Sequence, residues 1–187
     1  VTADTIEKAN ITDIYDLRSI VPALDSRRFT TPTEATYVIR GFGNGSYNPG
    51  IEPSVAVFID GVYRSSMQAQ IADLPAIERI EVLRGPQGTL FGKNATAGVI
   101  NVVTKNDIAE NNVGFSYGSY STQKVNVNTG TKIDNNSSIS FSASANSSDT
   151  YRDAADYENQ NFVVNYKNKI KDAVVNLDLF SSFKEQE

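Results

Sequence analysis

The chain has 187 residues, 40% of them hydrophobic, with a net charge of -5, no cysteine and no histidine. That length holds one domain, or one domain and part of another. The missing residue types exclude disulfides, thiolate metal centres and imidazole general bases, and the acidic balance argues against a nucleic-acid partner.

No apolar run reaches the roughly 18 residues of a membrane-spanning helix. The chain opens in the polar Val1-Thr2-Ala3-Asp4, so it reads as a mature or trimmed form without a leader. Thr12 then precedes an apolar rhythm of Ile14, Leu17 and Val21, which predicts a short helix capped by Thr12 and stopped near Pro22. Thr36-Tyr37-Val38-Ile39-Arg40-Gly41-Phe42-Gly43 predicts a strand running into a glycine-rich loop. Two apolar runs, Ser54–Ile59 and Val62-Tyr63, flank Asp60-Gly61, and Asp-Gly in that setting predicts a hairpin. Glu78-Arg79-Ile80-Glu81-Val82-Leu83-Arg84 mixes charges with aliphatics, so one face should be buried and the other wet or ion-paired. Gly98-Val99-Ile100-Asn101-Val102-Val103-Thr104 reads as a further buried strand. To about Lys105, then, the chain reads as a small α+β domain.

From about Asn111 the texture changes. Val113, Phe115 and Tyr117 alternate with Gly114, Ser116 and Gly118; Val125, Val127 and Thr129 with Lys124, Asn126 and Asn128; and Ile139, Phe141, Ala143 and Ala145 with serines. Phe162, Val164 and Tyr166 follow, then Val175, Leu177 and Leu179, whose polar face is broken by Phe180. Asp134-Asn135-Asn136, Asn168-Lys169 and the longer Ser147 to Asn159 stretch read as connections. The result is five strands of about ten residues with a period of two. Two architectures share that alternation, a soluble β-sandwich and a segment of an outer-membrane barrel. Small neutral polar faces and aromatics toward strand ends (Phe115, Tyr117, Tyr166, Phe183) favour the barrel, while the alternation itself leaves both architectures open.

The stretch Arg84-Gly85-Pro86-Gln87-Gly88-Thr89-Leu90-Phe91-Gly92-Lys93-Asn94-Ala95-Thr96 looks at first like a phosphate-binding loop. Such a loop needs a glycine five residues before its Gly-Lys pair and a hydroxyl straight after the Lys. Gln87 and Asn94 occupy those two places, so its glycines are better read as turn and close-packing devices. The acid pairs Asp13/Asp16 and Asp153/Asp156 read as solvated surface rather than hydrolytic machinery.

The order of motifs in the first half resembles the plug domain of TonB-dependent outer-membrane receptors. The matching residues are Val38-Ile39-Arg40-Gly41-Phe42, Val57-Phe58-Ile59-Asp60-Gly61-Val62-Tyr63, Ile77 to Gly88, Leu90-Phe91-Gly92 and Ala97 to Lys105. The resemblance implies an α+β plug domain with a small mixed sheet over residues 1–106. Over residues 107–187 it implies the first antiparallel strands of a ~22-stranded transmembrane β-barrel, with Ser119-Tyr120-Ser121 at the first hairpin turn. Five strands cannot close, and an open edge cannot face lipid, so the chain reads as part of a larger receptor.

In function the resemblance implies TonB-dependent import across the bacterial outer membrane, with the plug gating the barrel. The partners it implies are TonB, outer-membrane lipid and a small-molecule ligand such as a metal chelate, a ferric siderophore foremost. It implies no enzyme activity, no cofactor and no protein metal site. A soluble interaction or signalling domain built on the plug fold is the alternative.

The resemblance also names residues. Arg40 and Arg84 match the plug arginines that lock onto barrel carboxylates, with Glu78, Arg79 and Glu81 either extending that network or forming a wet strand face. A first ligand loop would use Gly43, Asn44, Gly45, Ser46 and Tyr47. A second would use Tyr63, Ser65, Ser66, Met67, Gln68 and Ala69.

Overall fold

The computed structural model describes residues 1–9, 11, 13–28, 35–43, 52–65, 77–104, 111–149, 156–171 and 173–186. They fall in two compact units, one ending at Thr104 and one whose described residues begin at Asn111. The fold class is the one read from the sequence: an α+β unit with a small mixed sheet, then antiparallel strands.

The first unit begins with Thr2 bridged to Arg79 and helix α1 (Ala3–Lys8). The expected short helix is a 3-10 helix, Ile14–Ser19, and its cap is Asp13 rather than Thr12. The Asp13 carboxylate accepts the Asp16 N–H at 3.1 Å, and the Asp16 carboxylate accepts the Asp13 N–H at 3.4 Å. A carboxylate at this place satisfies an orphan amide and also meets the positive end of the helix. The pair Asp13/Asp16 is therefore a capping device, with Asp13 buried rather than on solvated surface. Ile14 and Leu17 lie one 3-10 turn apart, on the same side of the helix, and both are buried.

Strand β1 (Leu24–Arg28) has no apolar alternation and was not expected, yet it pairs with β2 (Ala35–Ile39) from Leu24↔Ile39 to Arg28↔Ala35. Strand β2 does not run on into an open loop. It turns at Arg40-Gly41, with φ of 53° and 82°, and returns as β3 (Phe42–Gly43) with Phe42 opposite Ile39. Two positive φ values are what the mirror-image two-residue hairpin turn requires.

A four-stranded mixed sheet, in the order β5-β4-β7-β6, carries most of the core. Its strands are β4 (Val55–Ile59), β5 (Val62–Tyr63), β6 (Ile77–Arg84) and β7 (Gly98–Thr104). The expected Asp60-Gly61 hairpin joins β4 to β5. The Asp60 carboxylate takes the N–H and the hydroxyl of Thr104 at 2.8 and 2.7 Å, which ties the turn to the end of β7. Strands β4 and β7 run parallel at the centre, with Val55, Ala56, Val57, Val99, Ile100 and Val102 fully buried. Their apolar runs, interrupted in β7 only by Asn101, fit strands covered on both faces. Gly98 opens β7 under tight constraint. A Cβ there would lie 2.5 Å from Leu83 O and 2.6 Å from Ile39 Cδ1, so only glycine lets β2 pack onto this sheet.

The second unit is one antiparallel sheet in sequential order: β8 (Asn112–Tyr117), β9 (Gln123–Lys132), β10 (Ser137–Ser148), β11 (Tyr157–Ile170) and β12 (Ala173–Gln186). One connection is displaced from its expected place and another is shorter than expected. Asn168 and Lys169 lie within β11, and the turn falls after Ile170, which pairs with Ala173. Ser147, Ser148 and the segment Tyr157 to Asn159 are also strand residues. Each polar side chain here sits on a backbone that still has a ladder partner, so pairing continues through it.

Register gives the sheet two distinct faces. One carries the cross-strand rows Val113–Val127–Ala143–Phe162 and Thr129–Phe141–Val164–Leu179. The other carries Asn126–Ser144–Asn161–Ser182 and Ser140–Asn165–Asp178. Exposure is inverted relative to a soluble sheet: Phe115 and Leu179 are 69% and 61% exposed, while Ser142 and Asn161 are 2% and 1% exposed. Amides knit the polar face, with Asn165 Nδ2 donating to Asp178 at 2.7 Å and Asn161 Nδ2 to Ser144 Oγ at 3.4 Å. Phe180, which breaks the alternation, sits on this face opposite the buried Val163.

Candidate functional site

Strand directions gather several chain crossings at one end of the four-stranded sheet. Strands β4 and β7 start there, at Val55↔Gly98, and β6 finishes there, because Arg84 pairs with Gly98. Strand β5 runs back toward it, and the Arg64 N–H closes on Val57 O at 2.8 Å. The contact of Ile39 with Gly98 brings the end of β2 to the same place. The opposite end holds Asp60-Gly61, Ile77 and Thr104.

The connection from β6 to β7, which resembled a phosphate loop, is a compact turn at this end. The Gly85 and Gln87 amides donate to Ala97 O and Ala95 O at 3.0 and 2.8 Å, and a four-residue helix α2 (Gly88–Phe91) follows. Gly92 ends it at a φ of 84°, a conformation open to glycine without strain. Phe91 packs edge-on to Phe58 at 5.2 Å, and Phe58 tilts against Tyr63 at 5.5 Å, over the buried Ala56, Ala95 and Val99.

The next two residues reach outward. Lys93 Nζ lies 2.8 Å from Glu52, on the chain entering β4. Asn94 Nδ2 donates to the Tyr63 hydroxyl at 2.7 Å, on the chain leaving β5. The Lys93 hydrogen bond lowers the Glu52 carboxyl from its ordinary value, and Glu52 in turn raises the Lys93 ammonium. Burial raises the Tyr63 phenol, so it stays protonated at neutral pH and offers Asn94 an acceptor oxygen.

Of the first candidate loop, Gly43 is described, and Asn44, Gly45, Ser46 and Tyr47 lie outside the described residues. Gly43 faces Val38 in β3, where a Cβ would come 2.6 Å from Tyr37 O. Of the second, Tyr63 is half-buried in the aromatic cluster and Ser65 is exposed, while Ser66, Met67, Gln68 and Ala69 lie outside the described residues.

Arg40 and Arg84 are both exposed, Arg40 at a turn and Arg84 at the end of β6. Glu78, Arg79 and Glu81 pair with one another instead of with them. Arg79 lies 2.7 Å from Glu78 and 2.8 Å from Glu81, and Glu81 also accepts from Asn101 at 3.0 Å. A register shift between Ile77 and Arg79 accompanies this arrangement. Glu52 was not singled out by sequence reasoning, and Lys93 and Asn94 entered it only as part of the rejected phosphate loop; their one local signal was a cation and an amide side by side after a turn glycine.

Among the described residues no group of three or more Asp or Glu is placed to hold a metal ion. In the second unit, a cleft of about 220 Å³ lies beside the β10–β11 connection, lined by Asp149, Asp156, Glu158 and Glu185 among others.

The family model described as TonB-dependent Receptor Plug Domain matches residues 1–99. The pesticin receptor of Yersinia pestis is 35% identical over 107 residues, covering 56% of this chain and 15% of that protein. The vitamin B12 transporter BtuB of Vibrio vulnificus is 33% identical over 109 residues, covering 56% and 17%. The crystal structure of the ferric yersiniabactin uptake receptor FyuA from Yersinia pestis superposes with a TM-score of 0.78 at 22% identity, covering 98% of this chain and 30% of that one. The likeness in fold therefore runs through the five-stranded sheet as well as the plug, although the chain spans only about a sixth of the curated relatives' length. By its plug domain, this chain belongs to the TonB-dependent receptors of the outer membrane.

Proposed function

We propose that the receptor containing this chain imports a scarce nutrient across the outer membrane, a ferric siderophore foremost, with energy supplied through TonB. Residues 1–106 act as the plug and residues 107–187 as the first strands of the barrel wall. The observation that carries this reading is the inverted sheet. Its open apolar face, with Phe115, Phe141, Leu177 and Leu179, suits lipid, and its covered amide and serine face suits a wet lumen. A soluble signalling domain would want the reverse.

The mechanism is binding and gating, without covalent chemistry. Ligand meets the plug on Asn44 to Tyr47 and Ser65 to Ala69. A chelate brings its own oxygen ligands to iron, so no protein metal ligands are needed. Arg40 and Arg84 lock the plug to carboxylates of the barrel, since a guanidinium keeps its charge and binds a carboxylate through two parallel hydrogen bonds.

Related receptors carry ferric yersiniabactin and vitamin B12 in their names. The deciding experiment is therefore uptake by cells carrying the full receptor, supplied with ferric yersiniabactin, a ferric catecholate or cyanocobalamin. Uptake of one probe that disappears without TonB supports the reading. No uptake of any probe, or equal uptake without TonB, would sink it.

A further inference from the structure

We propose that the adjacent pair Lys93 and Asn94 is a positioning element that gives the two candidate ligand loops one shared base. Lys93 holds the chain entering β4 through Glu52, and Asn94 holds the chain leaving β5 through Tyr63 while its side chain also hydrogen-bonds the Glu52 carboxylate. Glu52 lies three residues before β4 begins and is the first described residue after the first candidate loop; Tyr63 is the last residue of β5 and the first of the second candidate set. Neighbouring residues on one short turn cannot move independently, so the two loop bases are coupled through it.

Three features support the coupling. First, the turn is anchored from below, because Phe91 is packed into the Phe58–Tyr63 cluster just before the pair begins. Second, the chain straight after it is anchored too, since the Ala97 N–H donates to Ser54 O at 2.9 Å. Third, the two tethers differ in kind. The Asn94 bond is partly buried and geometrically fixed, whereas the Lys93 ammonium is 79% exposed and uses one of its three donors on Glu52. An anionic chelate arriving over this end competes with Glu52 for that ammonium. The pair thus positions the loops at rest and offers a cation that a charged ligand can draw away.

The inference rests on the transport reading for what is being positioned, but the brace itself can be tested without ligand. The full receptor, free of ligand, would be compared by amide hydrogen exchange as parent, Asn94→Ala, Tyr63→Phe, Lys93→Met and the charge swap Glu52→Lys/Lys93→Glu. The Arg64 and Ala97 amides report the two sides, and the Thr104 amide, held by Asp60 at the far end, is the control. A shared base predicts crossed effects. Asn94→Ala speeds exchange at Ala97 as well as at Arg64, and Lys93→Met speeds Arg64 as well as Ala97. Each should change about fivefold, the scale of one net hydrogen bond. Thr104 stays unchanged, and the charge swap restores the parent pattern. If each variant loosens only its own side, the brace is wrong.

Uptake then separates positioning from mere support. With whichever of ferric yersiniabactin, the ferric catecholate or cyanocobalamin the parent takes up, Asn94→Ala should raise the half-saturating concentration about tenfold and keep the maximal rate. A fall in maximal rate at unchanged half-saturation would make the pair a structural strut and overturn the positioning role. If the parent takes up no probe, the transport reading fails, and the exchange data alone still decide the brace.

Discussion

The two units cover opposite kinds of side chain. In the first, the apolar runs of β4 and β7 are closed off on both faces, and the charges of Glu78, Arg79 and Glu81 are left at the edge strand. In the second, the serine and asparagine rows are covered, and the rows with Phe141, Val164 and Leu179 are open. Alternation therefore fixes only that two faces differ. Which face is hidden depends on the medium, and the medium is encoded in residue size and charge. The covered polar face of small side chains satisfies itself in part, as where Asn165 donates to the Asp178 carboxylate, while the buried side-chain oxygens of Asn128 and Asn161 have no partner among the described residues.

The sharpest way to break this comparison is to make matched changes in the two apolar sets. Ile100→Ala removes a fully buried side chain from the central strand and should cost about 2–5 kcal/mol. The measurement is urea unfolding of the plug within the full receptor. Leu179→Arg should cost about 2–4 kcal/mol when the full receptor folds into lipid vesicles, if that residue sits near mid-membrane. In a soluble sheet an exposed leucine would tolerate the change within about 0.5 kcal/mol. A neutral result at Leu179 would remove lipid as the medium for that face.

The glycines sharpen the same contrast with a smaller effect. Gly98→Ala places a methyl group against the Leu83 carbonyl and Ile39, so about 1–3 kcal/mol of overpacking is expected in the first unit. Gly114→Ala meets only the end of the Asn126 side chain, which can swing aside at the expense of its exposed hydrogen bond to Asn112. It should stay within about 0.5 kcal/mol of the parent. Equal costs at the two sites would mean that the polar face is packed as rigidly as the plug core.

Much of this architecture was legible. Asp60-Gly61 announced its hairpin because Asp and Gly accept positive φ at little cost, and the glycines of the β6–β7 connection were read as turn and packing devices. Arg40-Gly41 makes an equivalent turn and was missed, because arginine carries no such preference and takes its φ of 53° from the flanking strands. Strand β1 was invisible for a similar reason: Leu24-Asp25-Ser26-Arg27-Arg28 pairs through its backbone and has no apolar rhythm. The barrel strands were legible in their middles and not at their ends, where Asn168, Lys169 and Ser147 look like turn residues yet belong to ladders. The Lys93–Asn94 attachments could not be read at all. Asn94 and Tyr63 are 31 positions apart, and only the parallel placement of β4 and β7 brings their neighbourhoods together.

The smallest expected effect concerns the exposed charges on β6, where the plug's edge differs from the neutral polar face of the sheet. The Arg79 hydrogen bond, followed by that of Asn101, holds the Glu81 carboxyl below its ordinary value of about 4.3. A depressed folded-state value means that the charged form is favoured by folding. The contribution is therefore complete above about pH 5 and is lost as the pH falls through the folded value. Its size is limited by solvent, because the Arg79 and Glu81 side chains are 45% and 40% exposed, and solvent-exposed pairs contribute about 0.2–1 kcal/mol. Glu81→Gln should consequently lower plug stability by no more than that at pH 7, with the difference from the parent shrinking as the pH falls through the lowered folded-state value. It should also flatten the salt dependence, since screening would have little left to weaken. Urea titration of the full receptor across that pH range, at low and high salt, measures this directly. A loss several times larger at pH 7 would show that the glutamate meets another cation in the complete receptor, and β6 would then belong with the locking surface around Arg84 rather than with a wet edge.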